Sequence, residues 1–319
     1  MSRNRYTKRS LYILTEGETE EAYFSRIGEI LGDDKECKYS VKVDVREIED
    51  GCKTDPVNMV KEAKESKTDY DEIWVVFDRD RERDDQNIKA IELAKKWKIG
   101  IAFSSIAFEE WVLLHFEKCT KAFERSDCGS RGGICTCNGS VCVKSYIKQN
   151  YYPAFEKGRT KLYDDLNQKQ NIALDNAAWL KHQYAQITNY HLLNPYTDVD
   201  TLVSKLLELP AIRYERINSV FSFDEIDFFI THHSTANHII SVSIQVTNNS
   251  TNPLIFNNAQ ENIKLLDINN QELVYTVSQT KIIYPAENKE VVLQFHINEH
   301  QISKLKFCSI KEWIYVELL

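Results

Sequence analysis

An α/β domain with an open, mainly parallel sheet, followed by an all-β sandwich, is the architecture this 319-residue sequence predicts. Three observations carry that expectation. Short apolar runs alternate with segments of helical spacing up to about residue 117. The apolar runs in this half are near-continuous, as strands covered on both faces must be. Beyond about residue 215 short alternating strands follow one another with no helix between them.

Taken in order, "SLYILT" reads as a buried strand. The following "ETEEAYFSRIGEILG" places Ala22, Tyr23, Ile27, Ile30 and Leu31 at helical spacing. "YSVKVDVREI" alternates Val41, Val43 and Val45 with polar residues, the pattern of a half-covered strand. In "KTDPVNMVKEAKES", Asp55 is positioned as an N-cap, with Pro56 at the first helical position. "EIWVVF" is a third strand, "NIKAIELAKKW" an amphipathic helix, "IGIAF" a fourth strand and "AFEEWVLLHFE" a helix. A β-α repeat of this kind calls for a parallel sheet with helices on both faces, whose ligands gather at the carboxyl ends of the strands.

Residues 128–142, "CGSRGGICTCNGSVC", interrupt the repeat with glycines and cysteines. Helices resume in "KLYDDLNQ", "NIALDNAAWLKHQYAQI" and "TDVDTLVSKLLEL". The last of these opens with Thr197 and Asp200, spaced like a capping box. A domain boundary is expected near residue 215, giving domains 1–214 and 215–319. In the second, "HIISVSIQVTNNSTNPLIF" and "ENIKLLDINNQELVYTV" read as strand pairs, with "DINNQ" as a hairpin turn; "KEVVLQFHI" and "EWIYVELL" add further strands.

Hydrophobic content of 42% and aromatic content of 11% describe a folded chain. No apolar stretch reaches the roughly 20 residues a membrane helix needs, so a soluble, cytoplasmic protein with reduced cysteines is expected. The formal net charge of −8 argues against indiscriminate nucleic-acid binding. It leaves room for local basic strips at Arg3, Arg5, Lys8 and Arg9 or at Lys95, Lys96 and Lys98, although a solvated tail and a solvated helix face are the plainer and favoured reading.

The chemistry-bearing residues are acidic. Glu16, Glu18, Glu20 and Glu21 crowd the point where the first strand turns into its helix at Gly17, and Asp78 and Asp80 follow the third strand in "VVFDRDRERDD". Alternate residues of an extended segment share a face, so both aspartates can address one site. Carboxylates gathered in this way repel one another unless cations intervene, and hard oxygen ligands suit Mg²⁺ or Mn²⁺. Such a site supports phosphodiester chemistry. Taken separately, each group has a plainer explanation: acidic side chains favour the positive end of a helix dipole, and Asp78 and Asp80 start a loop.

These residues resemble the RloB-like branch of the TOPRIM superfamily. "EGETE" from Glu16 to Glu20 matches its "EGxTE" motif, and "DRD" from Asp78 to Asp80 its "DxD" motif. "FEEWVLLHF" with Glu109, Trp111 and His115, "FEKG" with Lys157 and Gly158, and "NPYTDV" from Asn194 to Val199 follow in the family's order. The family's usual Ser-Asn-Pro-Ser is here Ser104, Ser105, Ile106 and Ala107. The resemblance implies a TOPRIM-like fold for residues 8–210. It also implies a general base or shared metal ligand at Glu16, Mg²⁺ ligands at Asp78 and Asp80, support from Glu20 and Glu109, and Lys157 opposite the phosphate. His115, among Leu113, Leu114 and Phe116, reads as a packing residue.

Four cysteines, Cys128, Cys135, Cys137 and Cys142, fall in one glycine-rich loop and match the ligand number of tetrahedral zinc. Cys119 or His115 could replace one of them, and the rival readings are free thiols or disulfides, the latter disfavoured by a reducing cytoplasm. Cys37, Cys52 and Cys308 read as packing residues. The expectation is a Mg²⁺-dependent TOPRIM nuclease cutting DNA or RNA, tRNA included. By resemblance it acts in anti-phage defence beside an ABC- or AAA-type (RloA-like) ATPase, as a monomer or homo-oligomer, with an immunoglobulin-like sandwich for docking. The alternative is a catalytically silent subunit that binds nucleic acid or a partner. A topoisomerase would need a nucleophilic tyrosine in an accompanying domain, and none is evident between residues 120 and 319.

Overall fold

The structure is a computed structural model of the 319-residue chain. It describes all residues except 1–7, 36, 47–54, 80–83, 129–136, 138, 188, 237–238, 257–261, 268–270, 274, 278–280, 297–301, 310–311 and 319. The chain divides into two compact units, Met1–Leu209 and Pro210–Leu319.

In the first unit, β1 (Arg9–Thr15), β2 (Tyr39–Val45), β3 (Glu72–Asp78), β4 (Gly100–Ser105) and β5 (Tyr196–Thr197) form one sheet in the order β2-β1-β3-β4-β5. The first four strands are parallel, and the short β5 joins β4 antiparallel. Residues 11–15 of β1 are all buried, whereas the edge strand β2 alternates between half-buried and exposed through Val43, as its sequence predicts.

Helix α1 (Glu18–Asp33) buries Thr19, Glu20, Tyr23, Phe24, Ile27 and Leu31. The expected stripe is therefore shifted: Ile30 is 37% exposed, and Thr19 and Glu20 turn inward in its place. Each fully buried ring or aliphatic side chain here contributes about 1.5–3 kcal/mol. Helix α2 (Pro56–Glu65) starts as expected, with the Asp55 carboxylate accepting from the Val57 N–H at 2.9 Å. Helices α3 (Asp84–Trp97) and α4 (Glu109–Leu114) follow β3 and β4. Every residue of α4 is buried, including Glu109 and Glu110.

Connection β1–α1–β2 runs to one side of β1, whereas β3 is laid down on its other side. The strand order thus reverses between β1 and β3. Where that happens, the loops leaving the strands' carboxyl ends diverge and open a crevice.

The sequence pattern does not place β5, α5 (Val143–Asn150) and the strand β6 (Ala211–Glu215) at the unit boundary, nor, beyond it, the strands at Val220–Phe223, Ile226–Ala236, Lys281–Ile283 and Ile302–Cys308. Helices α6 (Leu162–Leu166), α7 (Gln170–Gln183) and α8 (Val199–Leu206) fall in the expected segments. The capping box at α8 does not form. Thr197 lies in β5, its hydroxyl accepting from the Val199 N–H at 3.2 Å, and Asp200 turns to Lys181 at 2.8 Å.

The boundary lies at 209/210 instead of near 215, because β6 pairs in parallel with β17 (Glu312–Glu317) and belongs to the second unit. That unit is strand-rich. Besides β6 and β17 it contains β7 (Val220–Phe223), β8 (Ile226–Ala236), β9 (Ile239–Asn248), β10 (Leu254–Phe256), β11 (Ile263–Asp267) and β12 (Glu272–Leu273). The rest are β13 (Tyr275–Val277), β14 (Lys281–Ile283), β15 (Asn288–His296) and β16 (Ile302–Cys308). They make two five-stranded sheets, β12-β11-β16-β17-β6 and β13-β15-β9-β8-β7, and a small β10-β14 pair. Val242, Ile244 and Val246 of one large sheet and Leu305, Phe307 and Ile314 of the other share a single hydrophobic cluster. Among the described residues, no helix is long and apolar enough to cross a membrane.

Candidate active site

Parallel pairing of β1 with β3 sets the site. The register aligns Thr15 with Val76, and the Glu16 N–H donates to the Val76 carbonyl at 3.0 Å. One step further on, Glu16 Oε2 accepts the Asp78 N–H at 2.9 Å. Two residues 62 positions apart thus meet at the reversal point of the sheet.

Glu20 reaches the same place from the first turn of α1. Its carboxylate lies back over Gly17, where an added Cβ would stand 2.8 Å from Glu20 Oε2. A side chain at the glycine of "EGETE" would have to push the Glu20 carboxylate aside. Burial, reinforced by Glu109 and Glu16, pushes the Glu20 carboxyl up to about 7. Burial, with Glu20, Glu16 and Glu109, likewise holds Asp78 well above the usual carboxylate range.

Glu109, 1% exposed, arrives from α4. Ser126 donates its hydroxyl to Glu109 Oε2 at 3.0 Å, and Lys157 Nζ lies 3.1 Å from Oε1. Lys157 is exposed on the lip of the group. Burial alone would lower its ammonium, but Glu109, Asp78 and Glu20 outweigh that and raise it above the ordinary lysine value. The turn behind it is pinned to α1, since the Gly158 N–H donates to Thr19 Oγ1 at 3.0 Å. Gly158 has φ +67°, where only glycine sits without strain.

Glu16, Glu20, Asp78, Glu109 and Lys157 are thus brought together from four separate segments, while Asp80 lies outside the described residues. Glu18 is exposed and Glu21 half-buried, with Glu21 taking the Ser25 hydroxyl at 3.1 Å. Sequence reasoning missed Ser126 and Thr19, which orient Glu109 and the Lys157 turn. Thr19 had a signal, its place inside "EGETE"; Ser126 had none. Arg79, between the two expected aspartates, forms a fork onto Asp84 at 2.8 and 2.9 Å.

His115 is a packing residue. It is 1% exposed, its Nδ1 lies 2.9 Å from the Trp111 carbonyl, and its ring packs edge-on against Trp111 at 4.8 Å. Burial pushes it down to about 4, so it is neutral. Of the basic strip, Arg3 and Arg5 lie outside the described residues. Lys8 hydrogen-bonds the Leu31 and Asp34 carbonyls at 2.8 and 2.6 Å, at the end of α1. Lys95, Lys96 and Lys98 are exposed.

Of the four loop cysteines, three meet. The thiols of Cys128, Cys137 and Cys142 lie within 4.8 Å of one another and could hold a metal ion; Cys135, like Cys52, lies outside the described residues. Neither proposed substitute joins them. Burial pushes Cys119 up to about 11, and His115 is engaged elsewhere.

Residues 11–206 match the family of RloB-like proteins. The chain belongs to that family. The match takes in Glu16, Glu20, Asp78, Glu109, Lys157 and all three clustered cysteines, and it ends before the strand-rich unit begins. No curated protein matches this RloB-like chain. Among solved structures it is similar to the yjhA protein from Bacillus subtilis, at 12% identity and a TM-score of 0.28 over 33% of this chain and 99% of that one. It is also similar to a secreted protein from Mycobacterium tuberculosis, MPT63, at 10% identity and a TM-score of 0.26 over 33% and 95%. Similarity at this level leaves the functional reading to the residues.

Proposed function

We propose that this RloB-like protein is a divalent-metal-dependent nuclease of TOPRIM type, hydrolysing phosphodiester bonds in DNA or RNA. One observation carries the reading: Glu16, Glu20, Asp78 and Glu109 converge at the carboxyl ends of β1 and β3, where the strand order reverses. Four carboxylates face one lysine, and burial, with their mutual repulsion added, raises Glu20 and Asp78. Hard oxygen donors with uncompensated charge fit Mg²⁺ or Mn²⁺. Glu16, Glu20 and Asp78 would hold the ion, joined on the "DRD" pattern by Asp80. When bound, it supplies Lewis-acid stabilisation and makes water more acidic.

The side chains divide the remaining work. Glu16, fixed by the Asp78 N–H, holds one carboxylate oxygen in a set direction at the mouth of the crevice. Glu109 is locked by Ser126 and positions Lys157. Lys157, exposed on the lip, presents its ammonium to phosphate charge that develops during the reaction. The strand-rich unit, with two sheets on one core, supports an immunoglobulin-like docking module. Work beside an ABC- or AAA-type ATPase in anti-phage defence is the role the family resemblance suggests.

The test is incubation of purified protein with DNA and with total RNA in Mg²⁺, comparing wild type with Asp78→Ala. Cleavage that falls by about 10²-fold or more in the variant is expected. Cleavage that survives the substitution unchanged rules the site out. Cleavage by neither protein favours the alternative, a silent binding subunit.

A further inference from the structure

Among its described residues, the loop that supplies Ser126 holds three thiols together. Its two limbs run side by side. The Glu124 N–H donates to the Val141 carbonyl at 2.9 Å, Val143 to Arg125 at 3.2 Å and Lys144 to Ser126 at 3.1 Å. Gly139, at φ +68°, lets the chain turn where a Cβ would stand 2.8 Å from the Tyr146 backbone, and the Ser140 N–H closes that turn onto the Cys137 carbonyl at 2.8 Å. This ladder carries Cys128 from one limb to Cys137 and Cys142 of the other.

The thiol geometry is not that of a disulfide. Cys137 Sγ and Cys142 Sγ are 3.4 Å apart, far beyond the roughly 2.05 Å of an S–S bond. Two thiolates each about 2.3 Å from one tetrahedral ion stand about 3.7 Å apart, close to the observed separation. Cys142 is buried, whereas Cys128 and Cys137 are half-buried, so the cluster has a closed floor and an open side. Cations hold the surrounding loop: Lys121 Nζ donates to the Gly139 carbonyl at 2.8 Å, and Lys144 Nζ lies 3.0 Å from Asp127.

We infer that Cys128, Cys137 and Cys142 form a Zn²⁺ site that staples the Ser126 limb to the start of α5. Soft sulfur donors select zinc over the hard ions that suit the acidic crevice, so this is a second and chemically distinct site. Its role is structural: it holds the backbone two residues from the serine that locks Glu109. The inference is independent of the nuclease reading, and its test needs no activity.

The test is elemental analysis of the purified, reduced full chain after growth with added zinc. About one zinc per chain is expected, falling about fivefold or more in Cys137→Ser and Cys128→Ser, while Cys308→Ser retains it. Cobalt(II) titration gives a readout that requires no variant, because thiolate ligation produces a sulfur-to-metal charge-transfer band in the near ultraviolet. Wild type holding less than about half an equivalent and giving no such band overturns the site. So does full zinc retention in both serine variants, or a Cys137–Cys142 disulfide in the purified protein.

Discussion

At the carboxyl ends of β1 and β3, four carboxylates face one lysine; between α7 and α8, one lysine lies between two aspartates. Lys181 Nζ is 2.8 Å from Asp200 and 3.2 Å from Asp198, and the Tyr196 hydroxyl donates to Asp198 at 2.9 Å. Burial alone would lower the Lys181 ammonium, but Asp200 and Asp198 outweigh it and raise it well above the ordinary value. Burial raises Asp200 against the pull of Lys181. The difference is one of degree and arrangement. The helix pair assigns each carboxylate a donor within the fold. In the crevice, Lys157 is placed on Glu109, while Glu20 and Asp78 keep their raised values. The same residue types read as a scaffold in one place and as a site awaiting positive charge in the other.

The largest effect expected from breaking this comparison is on the scaffold side. Lys181→Met leaves two half-buried aspartates without their cation and should destabilise the fold by about 2–3 kcal/mol, read by denaturant unfolding at pH 7.5. A loss below about 0.5 kcal/mol would show the trio to be solvated. The crevice should respond in the opposite direction. Glu20→Gln removes a crowded charge while keeping the side chain's shape, so metal-free protein in EDTA should gain about 1–2 kcal/mol. If Glu20→Gln instead destabilises, the carboxylate has a partner inside the fold and the charge deficit is not real.

The two regions also differ in how far the sequence revealed them. Glu16 and Asp78 were legible because each sits where an apolar run ends, and a parallel sheet aligns such ends whatever the loops do; Glu109 was legible only through the family motif "FEEWVLLHF". The reversal of strand order between β1 and β3 follows from crossover direction, which no local pattern encodes. Thr197 and Asp200 misled for a related reason. Their spacing suits a capping box, but β5 pairing and Lys181, 19 residues before Asp200, claim them first. Ile30 looked like core because its spacing matches Tyr23 and Ile27, yet α1 is rotated so that Glu20 faces the crevice. Ser126 stayed hidden because a serine in a polar loop looks like any other until its partner is known.

A finer distinction between the two lysines appears in alkali. A lysine whose folded pKa is raised contributes stability that is complete below its unfolded pKa, near 10.5, and is lost as pH climbs toward the folded value. At pH 11 the unfolded Lys181 has largely released its proton while the folded one retains it, so folding must recover a proton. Wild type should therefore lose about 1 kcal/mol more than Lys181→Arg between pH 8 and pH 11, because arginine stays charged throughout. Tyrosines titrate in the same window but are common to both proteins and cancel in the comparison. Lys157, exposed on the lip, is screened by solvent, and Lys157→Arg should track wild type over that interval. Equal losses in wild type and Lys181→Arg would mean that Asp198 and Asp200 do not hold the ammonium, and that the contrast between scaffold and crevice rests on the carboxylates alone.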